Sequence, residues 1–580
     1  MWETVRQLWP YLRRYRRALI LGLAALVAKD ILAAMMPLMI KYGVDALIAG
    51  FRVEVMLWFL AGLMGFSIVK GIFNYWTRVI LIGISRDVEY DLRGELFDRL
   101  VTLSADFYAR FRTGDIMARS TSDLNSVRML CGPGISYSFT AAITFLLAVV
   151  VMGSVDWQLT AVMLLPTPVV SFAFLQYGQR VHFRFSRIQA LFADLSSRVQ
   201  ENISGVRIIR SYVQEEREMR RFEDLSVDLI DQNLRLVRTS ATFMPLMHAL
   251  IGISFLLVLW AGGYRVMSGE LSIGGFLMFN FYMGMLVFPM IAMGWVVNIL
   301  QRGSASMKRL NSILQERPAI DAPRAPAPIP HPLRGEIEFR NVTVRRPAGE
   351  ALRGIDLRIP GGATVAIVGQ TGGGKSTLVH LIPRLIDPTE GSVLLDGVDL
   401  RTLDPAELRR QIGYVPQETF LFSTTLAENI AFGVEEAPEE DIRRVAELAG
   451  LGPDVAGFPD GYQTMIGERG ITLSGGQKQR TAIARAILRN PSILILDDAL
   501  SSVDTMTEER ILRGLSTIMR DRTTVLISHR VSTVRHADRI FVIAGGRVAE
   551  TGTHQDLLAS SGYYAELHEK QLLEEELEAI

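Results

Sequence analysis

Six long apolar stretches lie within the first 300 residues, and no other feature constrains the fold of this chain as strongly. They cover about 18–44, 55–85, 134–155, 158–180, 240–266 and 272–300. A helix needs roughly 20 mainly apolar residues to cross a bilayer, where its backbone must satisfy itself. Each stretch is long enough, so the pattern predicts six membrane spans. Several stretches run without a break into polar helical patterns, so these helices are expected to continue well beyond the bilayer. With 580 residues, the chain is expected to form roughly two to four domains.

Basic residues orient the spans. Arg13, Arg14, Arg16 and Arg17 precede the first one, which predicts a cytoplasmic N-terminus. The connections after spans 1, 3 and 5 are short and nearly free of arginine, whereas 86–133 and 181–239 are long and charged. Six spans then return the chain to the cytoplasm, and the expected location is the cell membrane. Trp2 to Arg17 carries no signal-peptide cleavage pattern. Within it Trp2, Val5, Leu8, Trp9 and Leu12 recur at helical spacing, which suits a helix lying in the membrane interface. An ordinary packing helix is the alternative.

Lys29, Asp30 and Lys70 fall inside predicted spans. A charge at mid-bilayer costs about 2.5–3.5 kcal/mol, so such groups face a cavity or a partner. Lys29 and Asp30 point about 100° apart on a helix and are not expected to pair. Asp30 with Lys70 is the alternative pairing, and a structural ion pair and a cargo-binding role both stay open. Met35, Met36, Met39, Met244, Met247, Met278, Met283, Met285, Met290 and Met293 are interspersed with Phe279, Phe281, Tyr282, Phe288 and Trp295. Such side chains build either plain helix packing or an adaptable pocket for hydrophobic cargo. Acidic and basic residues balance to a net charge of +0, which gives no argument for nucleic-acid binding. The single cysteine, Cys131, excludes an internal disulfide and any cysteine-based metal cluster within the chain.

Residues 317–333 are rich in proline and read as an extended linker between a membrane domain (1–316) and a soluble domain (334–570). An acidic tail, 571–580, follows and is expected to be solvated. After the linker, short apolar runs at 337–339, 363–368, 493–496 and 524–527 alternate with helical patterns, as in an α/β nucleotide-binding fold. Gly369-Gln370-Thr371-Gly372-Gly373-Gly374-Lys375-Ser376-Thr377 follows one such run and precedes a helix predicted to begin near Leu378. This is the P-loop in its strand–loop–helix context: glycines admit the backbone to phosphates, Lys375 neutralises their oxygens and Ser376 holds Mg2+. Asp497 ends a buried strand and is expected to bind the same ion, through a water.

Leu473-Ser474-Gly475-Gly476-Gln477 lies about 20 residues before that acid. With the P-loop upstream it resembles the signature of ATP-binding-cassette (ABC) proteins, and six spans plus one cassette resemble an exporter-type half-transporter. The resemblance implies a polytopic α-helical membrane domain followed by a P-loop NTPase domain, with ATP and Mg2+ as cofactors. It implies roles for Gln417, in the loop that senses the γ-phosphate and the membrane domain and as a metal ligand, for His529 as the switch histidine, and for Ser501 and Asp504 in the loop joining two cassettes. Gly467-Glu468-Arg469-Gly470 resembles the exporter loop that touches the cytoplasmic helices. The stretches 107–115 and 201–207 look like the regions forming the two coupling helices. In this family each ATP lies between one P-loop and the opposite signature, so a single cassette needs a second half-transporter.

Two positions depart from the family pattern. Where active cassettes carry glutamate to polarise the attacking water, this chain has Asp498. The side chain is one methylene shorter, and a displacement of about 1 Å costs on the order of a hundredfold in rate, so weak hydrolysis is expected. The aromatic residue expected on adenine is replaced by Arg346, whose guanidinium plane can stack on a base. The signature itself is intact. The expectation is therefore a heterodimer, in which this chain completes a competent site on a partner that carries the glutamate. The predicted function is outward transport of hydrophobic or amphipathic cargo. A homodimeric lipid or drug flippase using Asp498, an ATP-gated channel or regulatory subunit, and an importer are the alternatives.

Overall fold

A computed structural model describes residues 2–50, 52–346, 349–467, 473–503 and 505–578. The chain divides into two compact units, residues 1–102 with 111–316 and residues 103–110 with 317–580.

The first unit is helical. Arg16–Ala49, Val53–Thr102, Thr113–Val155, Trp157–Ser204, Glu215–Met267 and Ile273–Leu314 each carry an apolar stretch long enough to cross a membrane. At 1.5 Å per residue the 50-residue helix Val53–Thr102 extends about 75 Å, well beyond a hydrocarbon core of about 30 Å. Thr113–Val155 is interrupted by wider turns at Arg119–Asp123 and Leu130–Gly134. The first of these turns faces Ile273–Leu314. There the buried Arg119 donates to the Arg309 carbonyl and to Ser312 Oγ, at 2.9 and 2.7 Å. Asp123 takes Ser306 Oγ and Arg309 Nε, both at 2.8 Å.

The N-terminal helix Trp2–Arg14 turns Leu8, Tyr11 and Leu12 inward and leaves Trp9 exposed. Tyr11 Oη donates to Glu95 at 2.6 Å and Arg14 pairs with Asp91 at 3.0 Å, which ties this helix to Val53–Thr102. One of its faces is therefore a packing face. The side chains of Trp2 and Val5 lie outside the described residues.

The intramembrane charges correct the expectation. Lys29 Nζ does pair with Asp30 Oδ1, at 2.9 Å, and it also donates to Thr140 Oγ1 at 3.3 Å. The two Cα–Cβ vectors diverge, but a four-carbon stem is long enough to swing the ammonium back. Asp30 does not reach Lys70, whose ammonium lies 3.7 Å from Met36 Sδ. Met278, Met283, Phe279 and Tyr282 are buried among the helices, whereas Met35, Phe281, Phe288 and Trp295 are exposed. The side chains of Met244, Met290 and Met293 lie outside the described residues.

The second unit is built on two sheets. β1 (Ile337–Arg346), β2 (Gly349–Ile359), β4 (Glu390–Leu395) and β5 (Val398–Asp399) form an antiparallel sheet in the order β2-β1-β4-β5. β3 (Thr364–Gly369), β6 (Ile412–Val415), β7 (Ile493–Asp497), β8 (Thr523–Ile527), β9 (Arg539–Ala544) and β10 (Arg547–Gly552) form the other, in the order β10-β9-β3-β8-β7-β6. Every pairing among β9, β3, β8, β7 and β6 is parallel. β3, β7 and β8 are almost wholly buried and largely apolar, as a parallel sheet covered on both faces requires.

The linker contains no helix, and its second half packs onto this unit: Ile329 is buried and Ala327 N donates to the Thr402 carbonyl at 2.9 Å. The last helix, Tyr563–Glu578, runs straight through the boundary expected at 570.

Candidate nucleotide site

β3 lies at the centre of the parallel sheet, and its C-terminal end opens into the P-loop. Gly369 has φ +145°, and a Cβ there would sit 2.1 Å from the Ile543 carbonyl oxygen. At Gly374, with φ +99°, a Cβ would come within 2.5 Å of the Ala351 carbonyl oxygen. Neither position tolerates another residue without a backbone shift. The left-handed Gly374 caps a helix that starts at Lys375, one turn earlier than the expected Leu378. Lys375 is buried, and its ammonium donates to the carbonyls of Gly369 and Gln370 at 2.8 and 2.9 Å.

Neighbouring strands bring the acids to the same end. Asp497 closes β7, and its Oδ1 accepts from Ser376 Oγ at 3.2 Å. Asp498 follows with φ +51°, a backbone conformation that is uncommon without glycine, and its Oδ2 accepts from Gln417 Nε2 at 3.4 Å. His529 follows β8. Thr371, Gly372, Gly374, Lys375, Ser376, Thr377, Gln417, Asp497, Asp498 and His529 line one cleft of about 190 Å³.

Burial shapes the electrostatics of this cleft. It raises the Asp497 carboxyl above the usual carboxylate range; the Ser376 hydrogen bond opposes this and the charge of Asp498 adds to it. Burial also lowers Lys375, against the pull of Asp498 and Asp497. His529 is lowered by burial and then by Lys375, which favours the neutral ring. A glycine cradle with a desolvated ammonium suits a phosphate chain. The hydroxyl of Ser376 beside the Asp497 carboxylate is a hard-oxygen set that suits Mg2+. The residues present therefore fit both ATP and magnesium.

The signature residues do not line this cleft. Leu473 is buried, while Ser474 and Gly475 are exposed. Ser474 caps the helix Gly475–Leu488: its Oγ accepts from Gln477 N at 3.3 Å while Gln477 Oε1 accepts from Ser474 N at 2.9 Å. Gly476 forms the first turn. Ser501 Oγ donates to the Asp498 carbonyl at 2.9 Å. Asp504, Glu468, Arg469 and Gly470 lie outside the described residues. Arg346 is exposed at the end of β1, with Nη1 4.0 Å from Asp106 Oδ1 on the short helix Ala105–Arg110. Of the two stretches read as coupling regions, the first begins inside that short helix and runs into the next, Thr113–Ala118. The second ends the long helix Trp157–Ser204 and enters the short helix Val206–Ser211.

Sequence reading missed two supports of the site. Gln479 Nε2 donates to Ser501 Oγ and its Oε1 accepts from Ser502 N, both at 2.9 Å, which braces the loop after Asp498. Behind Asp497, Tyr414 Oη and His380 Nε2 lie 3.0 Å apart, a contact between β6 and the P-loop helix with no signal in the local sequence.

Comparison with known proteins agrees with this geometry. Residues 19–290 match the family described as ABC transporter transmembrane region, and residues 352–501 match the family described as ABC transporter. The chain is 37% identical to the probable multidrug resistance ABC transporter ATP-binding/permease protein YheI of Bacillus subtilis, over 99% of this chain and 98% of that one. It is 36% identical to the multidrug resistance-like ATP-binding protein MdlA of Escherichia coli, over 99% and 97%. It is 35% identical to the ATP-dependent lipid A-core flippase of Syntrophus aciditrophicus, over 98% and 94%. A solved bacterial Atm1-family ABC exporter with ATP bound superposes with a TM-score of 0.79 at 27% identity, covering 96% of this chain and 98% of that one. Six spanning-length helices, a P-loop cassette and these full-length likenesses converge: the chain is a multi-pass membrane protein of the ABC transporter family, an exporter half with one ATP-binding cassette.

Proposed function

We propose that this chain exports hydrophobic or amphipathic compounds as one half of a heterodimer, with its N-terminus and cassette in the cytoplasm. Its own P-loop site binds ATP and hydrolyses it weakly, and its signature, Leu473–Gln477, completes the partner's site. The observation that carries this reading is Asp498, which occupies the position of the catalytic carboxylate but is one methylene shorter than glutamate. Gln417 already reaches its Oδ2, at 3.4 Å. The exposure of Ser474 and Gly475 away from the chain's own cleft supports a role for the signature toward another cassette.

Within the site, Gly369–Thr377 cradles the triphosphate and Lys375 neutralises its oxygens. Ser376, Asp497 and Gln417 hold magnesium, which when bound offsets charge on the β- and γ-phosphates. His529 contacts the γ-phosphate, Arg346 stacks on the base, and Ser501 and Asp504 belong to the loop between cassettes. The likeness to a lipid A-core flippase favours a second reading of the cargo, as lipid.

ATP turnover in lipid tests the proposal, for wild type and Asp498→Glu, each alone and with a second half-transporter. Wild type alone is expected to be nearly silent and to gain turnover with its partner. Restoring the methylene in Asp498→Glu is expected to raise turnover about a hundredfold. Brisk hydrolysis by wild type alone would make Asp498 a competent base and replace the heterodimer with a homodimeric pump.

A further inference from the structure

We infer that Gln571, on the C-terminal helix Tyr563–Glu578, is a positioning residue that holds the backbone of His529 so that its ring faces the nucleotide. The inference rests on the switch role proposed for His529.

His529 lies between β8 and the short helix Val531–Val534. Gln571 Nε2 donates to the His529 carbonyl, and its Oε1 accepts from Val531 N at 2.7 Å. One side-chain amide thus clasps the main chain on both sides of Arg530. Both ends are needed, a donor for the carbonyl and an acceptor for the N–H, and only a primary amide offers the two at this spacing. The opposite side of the loop is tied as well. Arg530 Nη1 donates to the Val503 carbonyl at 3.0 Å and to Glu508 Oε2 at 2.5 Å, and Arg530 N donates to Ser528 Oγ at 3.0 Å.

The helix that carries Gln571 is itself anchored. Tyr564 is fully buried in a cluster with Val368 of β3, Val531 and Val534, and Leu567 packs against it. The strand leading into the P-loop and the loop bearing the switch therefore share one support, and Gln571 is its polar contact with the loop. The His529 ring enters the same cleft as Lys375 and Asp498.

The test compares ATP and ADP affinity of the full-length protein in lipid, for Gln571→Leu, Gln571→Glu, His529→Ala and the Gln571→Leu/His529→Ala double variant. Glutamate keeps the acceptor and loses the donor, so both Gln571 variants are expected to weaken ATP about fivefold while ADP is unchanged. Gln571→Leu is expected to add nothing in the His529→Ala background, because it acts through that ring. Equal losses for ATP and ADP, an additive loss in the double variant, or no loss at all would overturn the inference. If His529→Ala itself spares the preference for ATP, the switch reading falls too; if only the Gln571 variants fail, that reading stands.

Discussion

Single side chains carry the proposal for what this chain does with ATP. Asp498 was legible in the sequence because it stands next to the strand-ending Asp497, and the proposal of weak hydrolysis rests on its one missing methylene. Arg346 was legible as a substitution, but its link to Asp106, 240 positions earlier in the chain, was not. An aromatic ring offers a base a broader stacking face, so Arg346→Tyr is expected to raise ATP affinity about threefold, read by nucleotide titration. A fall in affinity would show that the guanidinium itself binds the nucleotide. Tyr414, Gln479 and Gln571 escaped the sequence reading for a common reason. Each supports a functional residue through a contact between elements, and no local spacing announces such contacts.

At the scale of elements, the length of the apolar stretches located the six spanning helices found among the described residues, since length and hydropathy are local properties. Pairing within the membrane was less legible. The sequence argued against Lys29 with Asp30 because adjacent residues diverge, but the flexible lysine stem overrode the helix geometry. That ion pair also joins the first and third spans through Thr140. Removing one member leaves a buried charge without its partner, at a cost of about 3–5 kcal/mol. Lys29→Met is therefore expected to lower thermal stability in lipid sharply, and Lys29→Met with Asp30→Leu to recover most of the loss. Equal losses in both variants would assign the effect to packing.

For the whole molecule, pH acts in part through the cassette's half-buried histidines. Burial lowers His380, with Arg346 adding to it, and burial lowers His529, so both fall below the ordinary value of 6.5. Below that pH the unfolded chain binds protons that these two rings refuse in the folded state, so their contribution to folding stability declines as pH falls from about 6.5 toward the folded values. The thermal midpoint is expected to drop by about 2–4 °C per kcal/mol lost between pH 7 and pH 5.5. His380→Gln is expected to flatten that slope; an unchanged slope would remove His380 from the account. The division of the molecule held another surprise, since Leu103–Arg110 belongs with the cassette unit although its neighbours on both sides belong with the membrane helices.

The sequence alone determined the membrane half, the P-loop and the aspartate that follows Asp497. These depend on runs of apolar residues, on glycines whose backbone must turn left-handed, and on side-chain length, all of which are local. Only the tertiary structure decided which charges pair in the membrane, where the short helix Ala105–Arg110 docks, and what braces His529. The last two come from contacts between residues tens to hundreds of positions apart, which folding alone brings together; the first comes from the reach of a flexible lysine stem, set beside Thr140 of another helix.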